Sequence, residues 1–263
     1  MKIINILIAV TASIIFTGCA TTQYSVTPVT NTNSKTIYQD GQETLLSEKT
    51  NVVALGPNSA TLESGKRQSF TVAIQNRTGG DIVFSDEDIK ASYRGTTGTP
   101  DLSLKVYSYD ELVAEEKKRQ AWMAVAAGLQ AAGNSMSAAS AGYSNTYGTY
   151  SGNTYSSYGN NYSTYGSYSA TTYNYGAAQA AQNAATAQNN ANFSRLAAEG
   201  KANLESLSST ILKKQTVFPN QWFGGAIQIV MPRFEESGEL KFEVKTADET
   251  HVIEFKIEKE NKS

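Results

Sequence analysis

The chain has 263 residues, with 22 basic residues against 24 acidic ones, a single histidine and a single cysteine. So even a balance gives no electrostatic case for nucleic acid as a partner, and one cysteine leaves no disulfide within the chain, so a packed core must hold the fold. The length suits one medium domain with accessories or two small domains.

At the N-terminus Lys2 precedes an apolar run from Ile3 to Phe16, interrupted only by Asn5, Thr11 and Ser13; Thr17, Gly18 and Cys19 follow. A charged start, a short apolar stretch and a small residue at its end are the marks of a secretory signal. Phe16-Thr17-Gly18-Cys19 resembles the lipobox of bacterial lipoproteins, with Phe16 where that family usually carries Leu. The resemblance implies residues 1–18 as a signal peptide, cleavage between Gly18 and Cys19, and acylation of Cys19 by diacylglycerol and a fatty acid such as palmitate. The lipid bilayer is then the first partner. Ala20, rather than Asp, after the cysteine implies the outer membrane.

Residues 19–50 are rich in Thr, Ser, Asn and Gln and read as a lipidated flexible tether, spanning on the order of 30 Å. From Asn51 the texture turns to alternation. Phe70, Val72 and Ile74 share one face at period two, as do Leu102, Leu104 and Val106; after a long interruption come Ile227 and Ile229, then Leu240, Phe242 and Val244, then Ile253, Phe255 and Ile257. Such patterning predicts antiparallel strands with one packed side. Seven to nine of them, split across 51–107 and 216–258, fit an immunoglobulin-like β-sandwich. Residues 259–263 form a tail.

Between the halves, Ser108-Tyr109-Asp110-Glu111 matches a capping box, so a helix is expected over 108–142, supported by Glu115 four residues before Arg119. A second Ala-rich helix is expected over 177–215, with Lys213 and Lys214 in its last turn. The fold class expected is therefore mainly β with an α insertion: a sandwich interrupted by a long Ala-rich helical hairpin whose tip, residues 143–176, is low-complexity Tyr, Ser, Gly and Asn.

From Gln120 to Ser194 there is no charged residue, and ten of the fifteen tyrosines fall between Tyr143 and Tyr175. Tyr155, Tyr158, Tyr162, Tyr165 and Tyr168 recur in a near-regular pattern. Four readings are open. The segment is a disordered loop; or a sticky contact surface in which Tyr147, Tyr150, Tyr155, Tyr158, Tyr162, Tyr165 and Tyr168 supply amphipathic area; or a β-type self-associating segment; or it accompanies a membrane-inserting helix, against which Gln120, Gln130 and Asn134 weigh.

No catalytic pattern stands out. One histidine, His251, read as a rim residue of its strand, builds neither a metal site nor a His-based triad. Asp86, Glu87 and Asp88 lack the spacing of a calcium loop and read as a solvated turn; Glu235 and Glu236 read likewise. Gly224-Gly225 lacks the Lys and hydroxyl residue of a phosphate loop. The expectation is a non-enzymatic, outer-membrane-anchored lipoprotein, a structural or interaction module without cofactor or metal, meeting a protein partner or its own copies through the charge-free arm. The alternative is a membrane-active or pore-associated oligomeric component, with an envelope hydrolase behind it.

Overall fold

The computed structural model describes residues 23–39, 41–96, 101–155, 157–159, 161–233 and 236–260. The signal sequence and Cys19 lie outside the described residues, as does Glu235. The described residues are mainly β, with antiparallel sheets and two α-helices.

In chain order come β1 (Gln23–Val29), β2 (Ser34–Gln39), β3 (Gln42–Glu48), β4 (Val52–Pro57), β5 (Thr61–Glu63), β6 (Arg67–Gln75), β7 (Ile82–Phe84), β8 (Ile89–Gly95), β9 (Leu102–Leu104) and β10 (Val106–Tyr107). Then follow α1 (Tyr109–Ser140), β11 (Tyr143–Tyr155), β12 (Asn161–Tyr173), α2 (Tyr175–Thr210), β13 (Gln215–Val217), β14 (Trp222–Val230), β15 (Gly238–Thr246) and β16 (Glu249–Lys259). Residues 113–206 make one compact unit, and the described residues up to 112 and from 207 onward the other.

The β unit contains two six-stranded sheets, ordered β5-β1-β16-β15-β8-β9 and β10-β14-β6-β4-β3-β2. The alternating residues meet where expected: Phe70, Val72, Ile74, Leu240, Phe242, Val244 and Phe255 have no exposed surface, and Ile227, Ile253 and Ile257 next to none. Phe70 of the second sheet touches Phe242 and Phe255 of the first at ring-centroid distances of 4.9 and 6.0 Å, in tilted geometry that suits aromatic quadrupoles. The second alternating run behaves differently. Leu104 is buried and Leu102 half exposed on β9, an edge strand of the first sheet, and at Lys105 the chain crosses to β10, paired with β14.

The expected tether is a correction. Of residues 19–50, those from Gln23 to Glu48 form β1, β2 and β3; β1 lies between β5 and β16, and β3 between β4 and β2. Tyr24 and Leu45 are fully buried. A polar composition is compatible with a strand when its buried polar groups find partners, as Ser47, buried on the same face as Leu45, does with His251.

Ser108 and Glu111 form the expected capping pair: the Glu111 amide donates to Ser108 Oγ and the Ser108 amide to a Glu111 carboxylate oxygen, both at 3.2 Å. Arg119 makes a two-pronged bond to Glu116, 2.7 Å at each nitrogen. α2 ends at Thr210 rather than 215. The chain then turns extended, Ile211 bridging and Leu212 donating its amide to the Ala226 carbonyl at 2.8 Å, and Lys213 and Lys214 lie beyond the last helical turn. Gly224 and Gly225 make room for this. A Cβ on Gly225 would stand 2.7 Å from the Leu212 backbone, and one on Gly224 2.4 Å from the Val72 carbonyl oxygen.

Candidate functional site

The arm unit is built from the two helices and the β11–β12 hairpin. α1 and α2 run antiparallel, and polar groups and small residues set their spacing. Gln120 Nε2 donates to the Gly200 carbonyl at 2.9 Å, Asn134 Nδ2 to Asn189 Oδ1 at 2.8 Å, and Asn203 Nδ2 to Glu116 Oε1 at 3.2 Å. A Cβ at position 200 would come within 2.7 Å of the end of the Gln120 side chain, which would have to move. Glu116 is nearly enclosed. The Arg119 guanidinium, helped by Gln120 and Asn203, holds its carboxyl down to about 2, so it stays ionised at any physiological pH.

The low-complexity segment forms a regular two-stranded ribbon, Tyr143 pairing with Tyr173 and Tyr155 with Asn161 through thirteen cross-strand pairs. Thirteen residues reach about 40 Å. Tyr143 and Tyr173 stack at 4.8 Å at the base. Farther out the tyrosines lie over glycines of the opposite strand. Gly148 faces Tyr168 and Gly166 faces Tyr150, so close that a Cβ on Gly148 would meet the Tyr168 ring at 2.4 Å and one on Gly166 the Tyr150 ring at 2.3 Å. Each ring covers the backbone that a missing side chain leaves bare.

Of the candidate contact residues, Tyr147, Tyr155, Tyr158, Tyr162 and Tyr165 are exposed by 61% or more, and Tyr150 and Tyr168 by about half. The period-two geometry sends Tyr147, Tyr155 and Tyr165 to one face and Tyr150, Tyr162 and Tyr168 to the other; Tyr158 sits in the turn. The structure therefore does not gather the seven on one surface. Among the described residues no further strand pairs with either edge of the ribbon.

In the β unit, His251 is a correction: it is fully buried, not at the rim. Its Nδ1 lies 3.0 Å from Ser47 Oγ and its Nε2 3.2 Å from Glu249 Oε1. Burial opposes ionisation of Glu249, but the amides of Asn51 and Thr50 and the His251 ring outweigh it and hold the carboxyl below its usual range. An ionised carboxylate only accepts, so Nε2 carries the proton and Nδ1 accepts from Ser47. Burial pushes the His251 ring below its ordinary value, with Glu249 pulling the other way and Lys49 adding to the fall. The same three residue types make up a hydrolase triad, but here the serine is on Nδ1 and the carboxylate on Nε2, the reverse of that arrangement, and Ser47 is enclosed. The cluster joins β3 of one sheet to β16 of the other. Sequence reasoning missed it because Ser47 stands 204 residues from His251 along the chain.

Asp86, Glu87 and Asp88 form one 3-10 turn closed by Asp88 accepting from the Ser85 amide at 2.9 Å. Burial raises the Asp86 carboxyl. Among the described residues no group of histidine, cysteine and carboxylate side chains is arranged to hold a metal ion. A depression of about 360 Å³ on the outer face of the second sheet, lined by Gln39, Gln42, Thr44, Asn58 and Thr71, carries hydroxyls and amides but no charge. Among the described residues no helix is long and apolar enough to cross a membrane. Comparison with known protein families, curated proteins and solved structures gives no match in any of the three.

Proposed function

We propose that this protein is a non-enzymatic lipoprotein of the bacterial envelope, anchored by an acylated Cys19 and belonging to the outer membrane, in which the charge-free arm is a contact surface for protein. The β unit, an immunoglobulin-like sandwich in this reading, carries a helical hairpin capped by the tyrosine ribbon. One observation carries the proposal: the ribbon Tyr143–Tyr173 presents exposed tyrosines on both faces, and among the described residues no further strand pairs with either of its edges. An isolated two-stranded ribbon is at best marginally stable in water, and natural edge strands are normally blunted by charge, proline or a bulge. This one has neither charge nor proline.

The test is capture from crosslinked cells by the intact chain, by a chain lacking Ser144–Asn174, and by one with the seven candidate tyrosines changed to serine. The proposal expects capture to fail in both variants while the β unit melts unchanged. Capture undiminished in the tyrosine-to-serine chain would contradict it.

A second reading, a pore-associated component, rests on strand length, since thirteen residues exceed the nine to eleven that cross a bilayer in a barrel. Against it, neither face carries an aliphatic side chain larger than Ala170. Leakage from anionic vesicles with the intact chain, lost on ribbon deletion, would favour it.

A further inference from the structure

α1 carries two opposite faces, and the wrong one looks outward. On the face toward α2 lie Glu116, Gln120, Ala127, Asn134 and Ala138, which are polar or small. Half a turn away, at spacings of three and four, lie Trp122, Val125, Leu129, Ala132 and Met136. The four large side chains of this row are 66%, 55%, 72% and 77% exposed. A helix of a soluble unit ordinarily turns such a row inward. Strict alternation of three and four is the seam of a coiled coil, in which each knob needs a facing helix. Lys118 closes the row at one end and Ser140 at the other.

We infer that this row is the contact between two copies of the chain, paired antiparallel about a two-fold axis at Leu129. The inference deepens the proposed function, on which it rests, by naming the partner as a second copy. Three features select that partner. First, the row is self-complementary in volume. Antiparallel pairing about Leu129 sets Trp122 against Met136 and Leu129 against itself, and brings Val125 over the small residues Ala132 and Gly133. Parallel pairing would set Trp122 on Trp122 and leave a gap at Ala132. The indole and thioether surfaces also suit each other.

Second, no charge occurs from Gln120 to Ser194, so a two-fold axis forces no like charges together, and no flanking pair selects a different helix. Third, the area suffices. The exposed parts of the four large side chains amount to about 500 Å² per copy, so a two-fold contact covers roughly 1,000 Å², the lower bound for a specific interface.

The experiment uses the full-length chain in mild detergent, examined by analytical ultracentrifugation across a concentration series. Wild type is expected as a dimer in equilibrium with monomer. Leu129→Glu and Leu129→Lys, each placing a like-charged pair on the axis, are expected to raise the dissociation constant at least about a hundredfold. Mixing the two variants in equal amounts is expected to restore dimer, an outcome specific to a two-fold contact at this residue. Leu129 is 72% exposed, so neither variant should disturb the fold, and unchanged far-UV circular dichroism checks this.

A monomeric wild type at tens of micromolar, or a Leu129→Glu chain that dimerises as wild type does, overturns the inference. Binding of wild type to phosphatidylglycerol vesicles that is lost in Leu129→Glu, with no dimer seen, assigns the row to lipid and also overturns it. The ribbon deletion separates this failure from that of the broader reading. Association lost with the ribbon but kept in Leu129→Glu leaves the arm a contact surface and removes the row from it.

Discussion

Replacing Tyr24 by alanine tests whether the N-terminal strands belong to the folded unit. Tyr24 has no exposed surface, and β1 places it between Leu62 of β5 and Lys259 of β16. Removing the ring leaves a void of roughly 100 Å³, which at about 24 cal/mol per Å³ costs about 2 kcal/mol. Returning that apolar surface to water adds a transfer loss of about 2 kcal/mol, for a total of about 4 kcal/mol. Domains of this size have only about 5–15 kcal/mol in all. The assay is urea denaturation of the chain lacking residues 1–22, followed by far-UV circular dichroism, with Tyr38→Ala as control. Tyr38 is 75% exposed on β2, and its replacement should shift stability by no more than about 0.5 kcal/mol. A Tyr24→Ala midpoint within about 1 kcal/mol of wild type would refute the packing described and return residues 23–48 to the role of a tether.

Deleting residues 23–48 should prevent folding, because it strips β1 from between β5 and β16 and β3 from between β2 and β4; a cooperative melt in the truncated chain would argue against that. Cys19→Ser should leave the chain unlabelled by palmitate and free of the membrane fraction, as no described helix can span a bilayer in place of the acyl chains. For His251, burial lowers the folded ring's value below the ordinary 6.5, so the unfolded chain takes up its proton first as the pH falls. The stability from the neutral ring is complete above about 6.5 and declines as the pH drops through the folded value. Wild type should therefore lose melting temperature between pH 7 and 5 more steeply than His251→Gln, and parallel profiles would show that the ring does not titrate as its burial requires.

The inner faces of the sheets were legible because alternation at period two survives any change of neighbour: Phe70, Val72 and Ile74 point inward whatever pairs with β6. The helix start was legible because Ser108 and Glu111 form a local device. The strands of residues 23–48 were not, since Leu45 and Leu46 are adjacent yet both buried. Leu45 faces the main core, while Leu46 joins a second apolar cluster on the outer face with Val52 and Ala54, and no single-faced rule expects both. The ribbon hid for another reason: its stabilising contacts pair Tyr150 with Gly166 and Tyr168 with Gly148, so half of each contact is a residue without a side chain. The Glu116 cluster was not legible either, because the carboxylate that Arg119 grips also collects Asn203 from the other helix, 87 residues along the chain.

The central claim, that the tyrosine ribbon is a contact surface, is tested most directly by photo-crosslinking in living cells with a benzophenone side chain at position 165. The same group at position 38, on β2, serves as the reference site, since Tyr165 and Tyr38 are exposed to nearly the same extent, 78% and 75%. The account predicts a discrete protein adduct from position 165 and none from position 38. Equal labelling at both sites, or no adduct from position 165, would contradict it.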